Sequence, residues 1–483
     1  MKDIANTALN VAVQLGATYA DVRVMERETE EISVKAGNVD GINSATTRGF
    51  NVRVVVNGAW GFASSAIMET AEAERVAGQA VRIAKASALV AGQPVRLSPL
   101  PPQSGNYVTP VQRDPFLVPL GEKVSLLLRA DEAMRSVAGI AVTSAMMSSG
   151  KETKLFVSSE GSVVTQTLYH CGAGIEAFAV DQQNGEMQRR SYPQAGGQHG
   201  TAGFELVEAL DLVGNAPRIA TEAVQLLGAP QCEAGVRTII LDGQQTALQI
   251  HESCGHPIEL DRVMGMEAGF VGKSFLTTEK LGTFRYGSPV VNIVADATTP
   301  GALGSFGWDD EGVPAQSTPI VREGIFSGYL MSRDTAPDLG LVSNGCVRAD
   351  SWNRLPMIRM TNVSLQPGTW SLEDLIADTA DGLYLTTNRS WSIDNLRLNF
   401  QFATEIGWEI KNGKLGALVK NPTYTGITPE FWRSCDAVGN RDHWQAWGTP
   451  NCGKGEPMQV MRTGHGAAPT RFRNVRVGVG AFK

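Results

Sequence analysis

The run VRTIILDGQQTALQIHESCGHP, residues 236–257, decides how the chain is read. Val236 to Leu241 is apolar and β-branched, the composition of a buried strand. Asp242-Gly243 turns the chain, and from Gln244 the pattern is helical. The helix carries His251, Glu252 and His256 at its end, so a strand delivers a helix whose last turn presents two imidazoles and a carboxylate.

Those residue types suit a hydrolytic metal centre. Neutral imidazoles hold an ion, an open coordination position takes water, and a carboxylate removes the water's proton. Histidines four apart differ by about 40° around a regular helix, whereas five apart they differ by about 140°. Both rings reach one ion only if a π-bulge or an unwound last turn absorbs the extra residue. Gly255 tolerates that distortion, and Pro257 disfavours a regular helix at His256. The competing readings are a packed His251 with a solvated Glu252, or Cys254 as a nucleophile with His256 as its base. Residues two apart on a helix point to different sides, which counts against the latter.

Outward from this run the chain divides. Residues 3–16 and 69–92 read as helices on either side of short alternating strands with glycine and Asn-Gly turns. Residues 93–118, rich in proline, read as a connector and a possible sub-boundary. A helix near 119–135, alternation over 137–195 and two helical stretches at 204–228 complete this half, and Gly228 and Pro230 mark its end. After about 280 the pattern is strands and glycine turns. The expectation is an α+β chain: an N-terminal α/β domain (1–228) with helices on a mixed sheet, and a C-terminal β-rich, barrel-like domain (229–483) carrying the metal-site helix.

Composition bounds the function. The net charge of −7 lacks a clustered basic face, which argues against nucleic acid. No apolar run approaches the ~18 residues of a membrane span, and the N-terminal stretch is too polar for a signal peptide. The six scattered cysteines read as reduced thiols of a cytoplasmic protein.

Two histidines do not complete a zinc site. Cys435, Cys452, His443, His465 and several carboxylates are the candidates for a third ligand, and spacing alone does not choose among them. Cys452 sits in a turn-rich run where Gly453 and Gly455 free the backbone to aim a thiolate. Asp309 and Asp310, with Glu311, read either as contacts for a ligand or substrate amine or as a solvated turn.

With these residues in view the chain resembles the TldD/PmbA family of metallopeptidases, in the TldD-like branch. The resemblance runs nearly end to end and rests on GFNVRVVVNGAWGFAS (49–64), HESCGH (251–256), WDDEGVPAQ (308–316), LPMIRMTN (355–362) and NCGKG (451–455). It implies zinc held by His251, His256 and Cys452, with Glu252 as general base. It also implies a dimer, with itself or with a paralogous PmbA-like subunit, acting on unfolded peptides. Asp309, Asp310 and Arg359 are candidate substrate contacts. Where this family carries paired arginines before LPMIRMTN, this chain has Arg348-Ala349. The alternatives are a non-catalytic scaffold subunit, or a zinc amidase acting on a non-peptide amide.

Overall fold

A computed structural model describes residues 1–267 and 272–478. The first half is built on a long hairpin, β1 (Tyr19–Lys35) and β2 (Asn38–Val56), extended by β3 (Ala59–Ser65). The β2–β3 turn uses Asn57 and Gly58, both at positive φ (51° and 75°), the geometry that an Asn-Gly pair accepts most readily. The connector at 93–118 contributes β4 (Ser104–Val108). That strand pairs in parallel with β6 (Val163–Val180), and β5 (Ile140–Ser158) joins β6 to β1. One parallel pairing among antiparallel ones makes the sheet mixed, as expected.

The helices cover one face of this sheet in two groups. Lys2–Gln14 and Thr70–Ser87 bury alanine and valine stripes against the inward residues of β1 and β2. Leu120–Arg135 and Leu212–Gly228 do the same against β5 and β6.

The second half centres on a closed barrel. β7 (Gly235–Leu241), β8 (Asp381–Ile393), β9 (Asn399–Lys411), β10 (Thr423–Ile427) and β11 (Thr470–Val477) pair in the ring β8-β7-β11-β10-β9-β8. Closure removes the free edges of an open sheet. Phe400, Phe402, Tyr424, Phe431 and Phe472 fill one end, with Phe431 stacked on Phe472 at 4.0 Å between ring centroids. Between residues 285 and 365 the expected strands shrink to short pieces such as Ile293–Asp296 and Val363–Leu365, because glycines and prolines interrupt the ladder.

The acidic run 309–311 joins the two halves. Asp310 takes a 2.9 Å ion pair from Arg23 on β1 and another from Lys154 on β5, while Glu311 pairs with Arg53 on β2 at 3.1 Å. Burial opposes the charge of Asp310, yet Lys154 and Arg23 hold its carboxyl below the usual range. Asp309 accepts backbone N–H bonds from Glu311, Val313 and Val347. All three side chains are buried, so the run is not a solvated turn.

Candidate metal centre

The helix after β7 starts at Asp242, whose carboxylate accepts from Gln245 N at 2.8 Å and from the Thr386 hydroxyl of β8. It runs as a regular α-helix over Gly243–Ile250 and then widens into a π-turn, His251–Gly255, followed by a 3₁₀ turn, His256–Ile258. The His256 N–H donates to the His251 carbonyl, an i→i+5 bond that places residues five apart one turn above each other. The two imidazoles therefore stand on one side, their ring centroids 4.9 Å apart and nearly perpendicular.

Packing holds the wide turn in place. Trp432 Nε1 donates to Ser253 Oγ at 2.9 Å, and the Tyr286 hydroxyl donates to the Ser253 carbonyl at 3.0 Å. Gly255 has an ordinary helical φ of −59°, so its backbone freedom is not what the turn uses. Space is: a Cβ there would lie 2.0 Å from Met360 Sδ. Cys254 points into the apolar core with its thiol pushed up to about 12 by burial, far from a nucleophile's thiolate.

Cys452 lies on a strand, Gln445–Lys454, rather than in a loop. This strand pairs with Gln459–Ala467, and the register slips between Thr449 and Cys452, a bulge that re-aims the cysteine. The guanidinium of Arg359 donates to the Cys452 carbonyl at 2.5 Å and to the Gln459 carbonyl at 3.0 Å. Arg359 is fully buried and holds the strand pair; it does not line the cleft described below. Arg348 is likewise buried, donating to the carbonyls of Met360 and Arg462.

His251, His256 and Cys452 thus converge, with one donor atom from each lying within 4.8 Å of the others. The remaining ring nitrogens decide whether they suit a cation. His465 Nδ1 lies 2.9 Å from the Val363 carbonyl, which only accepts, so this nitrogen carries the proton and His465 Nε2 is left as an acceptor. His251 Nδ1, 2.7 Å from that Nε2, must then donate, which frees His251 Nε2. His256 Nδ1 donates to Glu259 Oε2 at 3.0 Å and frees its own Nε2 in the same way. Lys454, two residues past Cys452, holds Glu259 from behind at 3.4 Å and Asp261 at 2.9 Å. Alternation along the strand therefore lets Cys452 and Lys454 serve the same site.

Electrostatics point the same way. Burial alone would raise the Cys452 thiol, yet His251 and His256 hold it well below its ordinary value. Burial drives His256 and His465 well below the usual imidazole range, keeping them neutral. Burial would lower His251 too, yet the neighbouring Cys452 thiolate raises it, so a cation entering there displaces a proton; two imidazoles and a thiolate with oriented outer partners are a donor set that fits zinc with a position left open. Cys435, paired into the barrel wall, and His443, 3.6 Å from Glu373, lie outside this cluster.

The cluster opens into a cleft of about 520 Å³. Glu252 lines it beside the histidines, its carboxylate paired with Arg397 at the tip of the β8–β9 hairpin. Arg389 and Trp391 of β8 form one wall, Trp447 to Gly453 another, and Glu176, Arg189 and Gln194 of the first half complete it. Asp309, Asp310 and Arg359 are not among its lining. Arg397 and the positioning roles of His465, Glu259 and Lys454 were not apparent from the sequence. Only the spacing of Glu259, three past His256, offered a local signal.

Three PmbA/TldA metallopeptidase models match in order: domain 1 at residues 20–84, the central domain at 113–229 and the C-terminal domain at 234–479. A metalloprotease of Methanothermobacter thermautotrophicus is 31% identical, covering 95% of both chains. Another, from Methanocaldococcus jannaschii, is 31% identical over 87% of this chain and 89% of its own. A zinc metalloprotease TldD homolog of Saccharolobus solfataricus is 25% identical over 51% of this chain and 52% of its own. Among solved structures, TldE from Thermococcus kodakarensis superposes with a TM-score of 0.74 at 16% identity, covering 98% of this chain and 99% of that one.

Proposed function

Because this chain belongs to the PmbA/TldD metallopeptidase family, we propose that it is a zinc-dependent peptidase hydrolysing unstructured peptides, with His251, His256 and Cys452 as the ligands and Glu252 as general base. The convergence of these three donors beside Glu252 in an open cleft is the observation that carries the reading. Zinc, when bound, supplies Lewis acidity toward a water and the scissile carbonyl. Glu252 takes a proton from the attacking water and returns it to the leaving amine.

An extended substrate has a place to pair. β8 is bonded to β7 only at residues 382–385, and beyond them its edge away from β9 has no strand partner among the described residues. Asn388, Arg389 and Trp391 follow on that stretch and line the cleft. A peptide added there would gain main-chain bonds with little demand on sequence, which suits an unfolded chain. We assign the protein to the cytoplasm, consistent with six unpaired, buried cysteines, and take its partner to be a second chain of this family, identical or paralogous.

The Glu252→Gln variant, loaded with zinc and given β-casein as an unfolded substrate, tests the assignment. It should keep one zinc per chain and lose hydrolysis by roughly two orders of magnitude or more. Wild-type rates in that variant would refute Glu252 as the base.

A further inference from the structure

We propose that Arg397 is a catalytic residue that contacts the carbonyl oxygen of the scissile bond as negative charge develops on it; this rests on the peptidase reading above. Arg397 stands at the tip of the β8–β9 hairpin in the left-handed backbone region, with φ of 63°. A bulky side chain occupies that region only where the surroundings impose it, and such positions concentrate at functional sites. The surroundings here are explicit. The Arg397 N–H donates to the Asp394 carbonyl at 2.9 Å, and its own carbonyl accepts from the Thr428 hydroxyl at 2.9 Å. Phe275 N donates to the Leu396 carbonyl at 3.0 Å, and the buried Arg262 guanidinium donates to the Asn395 carbonyl at 3.1 Å. The hairpin tip is fixed from both sides, and what it presents to the cleft is one guanidinium.

One terminal nitrogen of that guanidinium holds Glu252 Oε2, while Nε is buried and has no acceptor among the described residues. A desolvated donor without a partner is costly, and at a reacting centre it is the preorganised arrangement that stabilises charge arriving later. The reaction supplies that charge. As an O–H bond of water breaks, its proton passes to Glu252 and its oxygen bonds to the carbonyl carbon. The carbonyl π pair then moves onto oxygen. Collapse returns that pair, breaks the C–N bond, and lets the leaving nitrogen take the proton from Glu252. Negative charge thus migrates from the carboxylate to the carbonyl oxygen and back. The Arg397–Glu252 contact is made before and during the reaction alike, whereas a guanidinium contact to the carbonyl oxygen strengthens only as charge arrives there, and it is this second contact that favours the transition state over the bound substrate.

The test uses zinc-loaded full-length wild type, Arg397→Ala and Arg397→Lys. The probes are the hexapeptide spanning the fastest-cleaved β-casein bond and its phosphinic analogue, with PO₂–CH₂ in place of CO–NH. Arg397→Ala should retain zinc and KM, lose about 10²–10³-fold in kcat, and weaken phosphinate inhibition by a similar factor; Arg397→Lys should recover part of both. If phosphinate Ki rises no more than KM, or kcat holds within about threefold, the role is overturned. Should Arg397→Ala lose its zinc, the same comparison is read from Arg397→Lys. A wild type that neither cleaves nor binds the phosphinate overturns the peptidase reading together with this one, whereas an active wild type matched by its variants overturns this inference alone.

Discussion

His465 makes two separable hydrogen bonds, and substitutions can remove them one at a time. Its Nε2 accepts from His251 Nδ1 at 2.7 Å and its Nδ1 donates to the Val363 carbonyl at 2.9 Å, all in a fully buried setting. His465→Ala leaves the Val363 carbonyl unpaired whether or not metal is present. A buried unsatisfied group costs about 1–3 kcal/mol, so the apo fold should lose at least that much. The lost acceptor acts differently. Without metal, His251 can place its proton on Nε2 beside the Cys452 thiolate; with metal, the proton must sit on Nδ1, where it now has no partner. That cost falls on zinc binding, at about 1.4–2.8 kcal/mol or 10–100-fold in Kd. His465→Gln places an amide oxygen near the former Nε2, and His465→Asn places an amide N–H near the former Nδ1. Chelator-competition titration and urea unfolding should therefore give a crossed result, with glutamine restoring zinc affinity and asparagine restoring stability. Equal zinc affinities for the two, or His465→Ala within about twofold of wild type, would refute the tautomer argument.

Three other substitutions probe the remaining parts. Gly255→Ala sets a methyl against Met360 Sδ and should destabilise the protein by about 1–3 kcal/mol, with recovery in the Gly255→Ala/Met360→Ala double variant; thermal melts of the pair decide it. Cys452→Ala should bring bound zinc below one per chain by metal analysis, and full stoichiometry there would remove the thiolate from the ligand set. Asp310→Ala leaves Arg23 in the interior without its carboxylate and Lys154 with Glu152 alone, at a cost of about 3 kcal/mol, read from the denaturant midpoint. Because the folded Asp310 carboxyl is held below its unfolded value, its contribution is fully present above about pH 4 and lost as pH falls through the folded value. The deficit of Asp310→Ala should shrink correspondingly in acid.

The amino-acid sequence alone determined what is local. A helix closes its hydrogen bonds within a few residues and a strand marks itself by its run of apolar β-branched residues, so the strand Gly235–Leu241 and the helix from Gly243 were legible, although the strand's partners, at 382–385 and 470–477, were not. Five-residue spacing lets His251 and His256 reach one ion only through a π-bulge or an unwound last turn, and of the two a π-turn stands there. Tertiary structure decided everything that depends on register between distant strands. Cys452 meets His256 at 3.8 Å across 196 residues only once the bulged strand is seated. Sequence presented the carboxylates 309–311 as charges beside a turn, while packing buried them in ion pairs with β1, β2 and β5. Charged residues carry no local mark of their partners, because a counterion can come from any strand the fold brings near. For the same reason His251, Glu252 and His256 could be named from residue types and spacing, and Cys452 only through the family resemblance, whereas the centre's proton positions and the guanidinium beside Glu252 came from the folded chain alone.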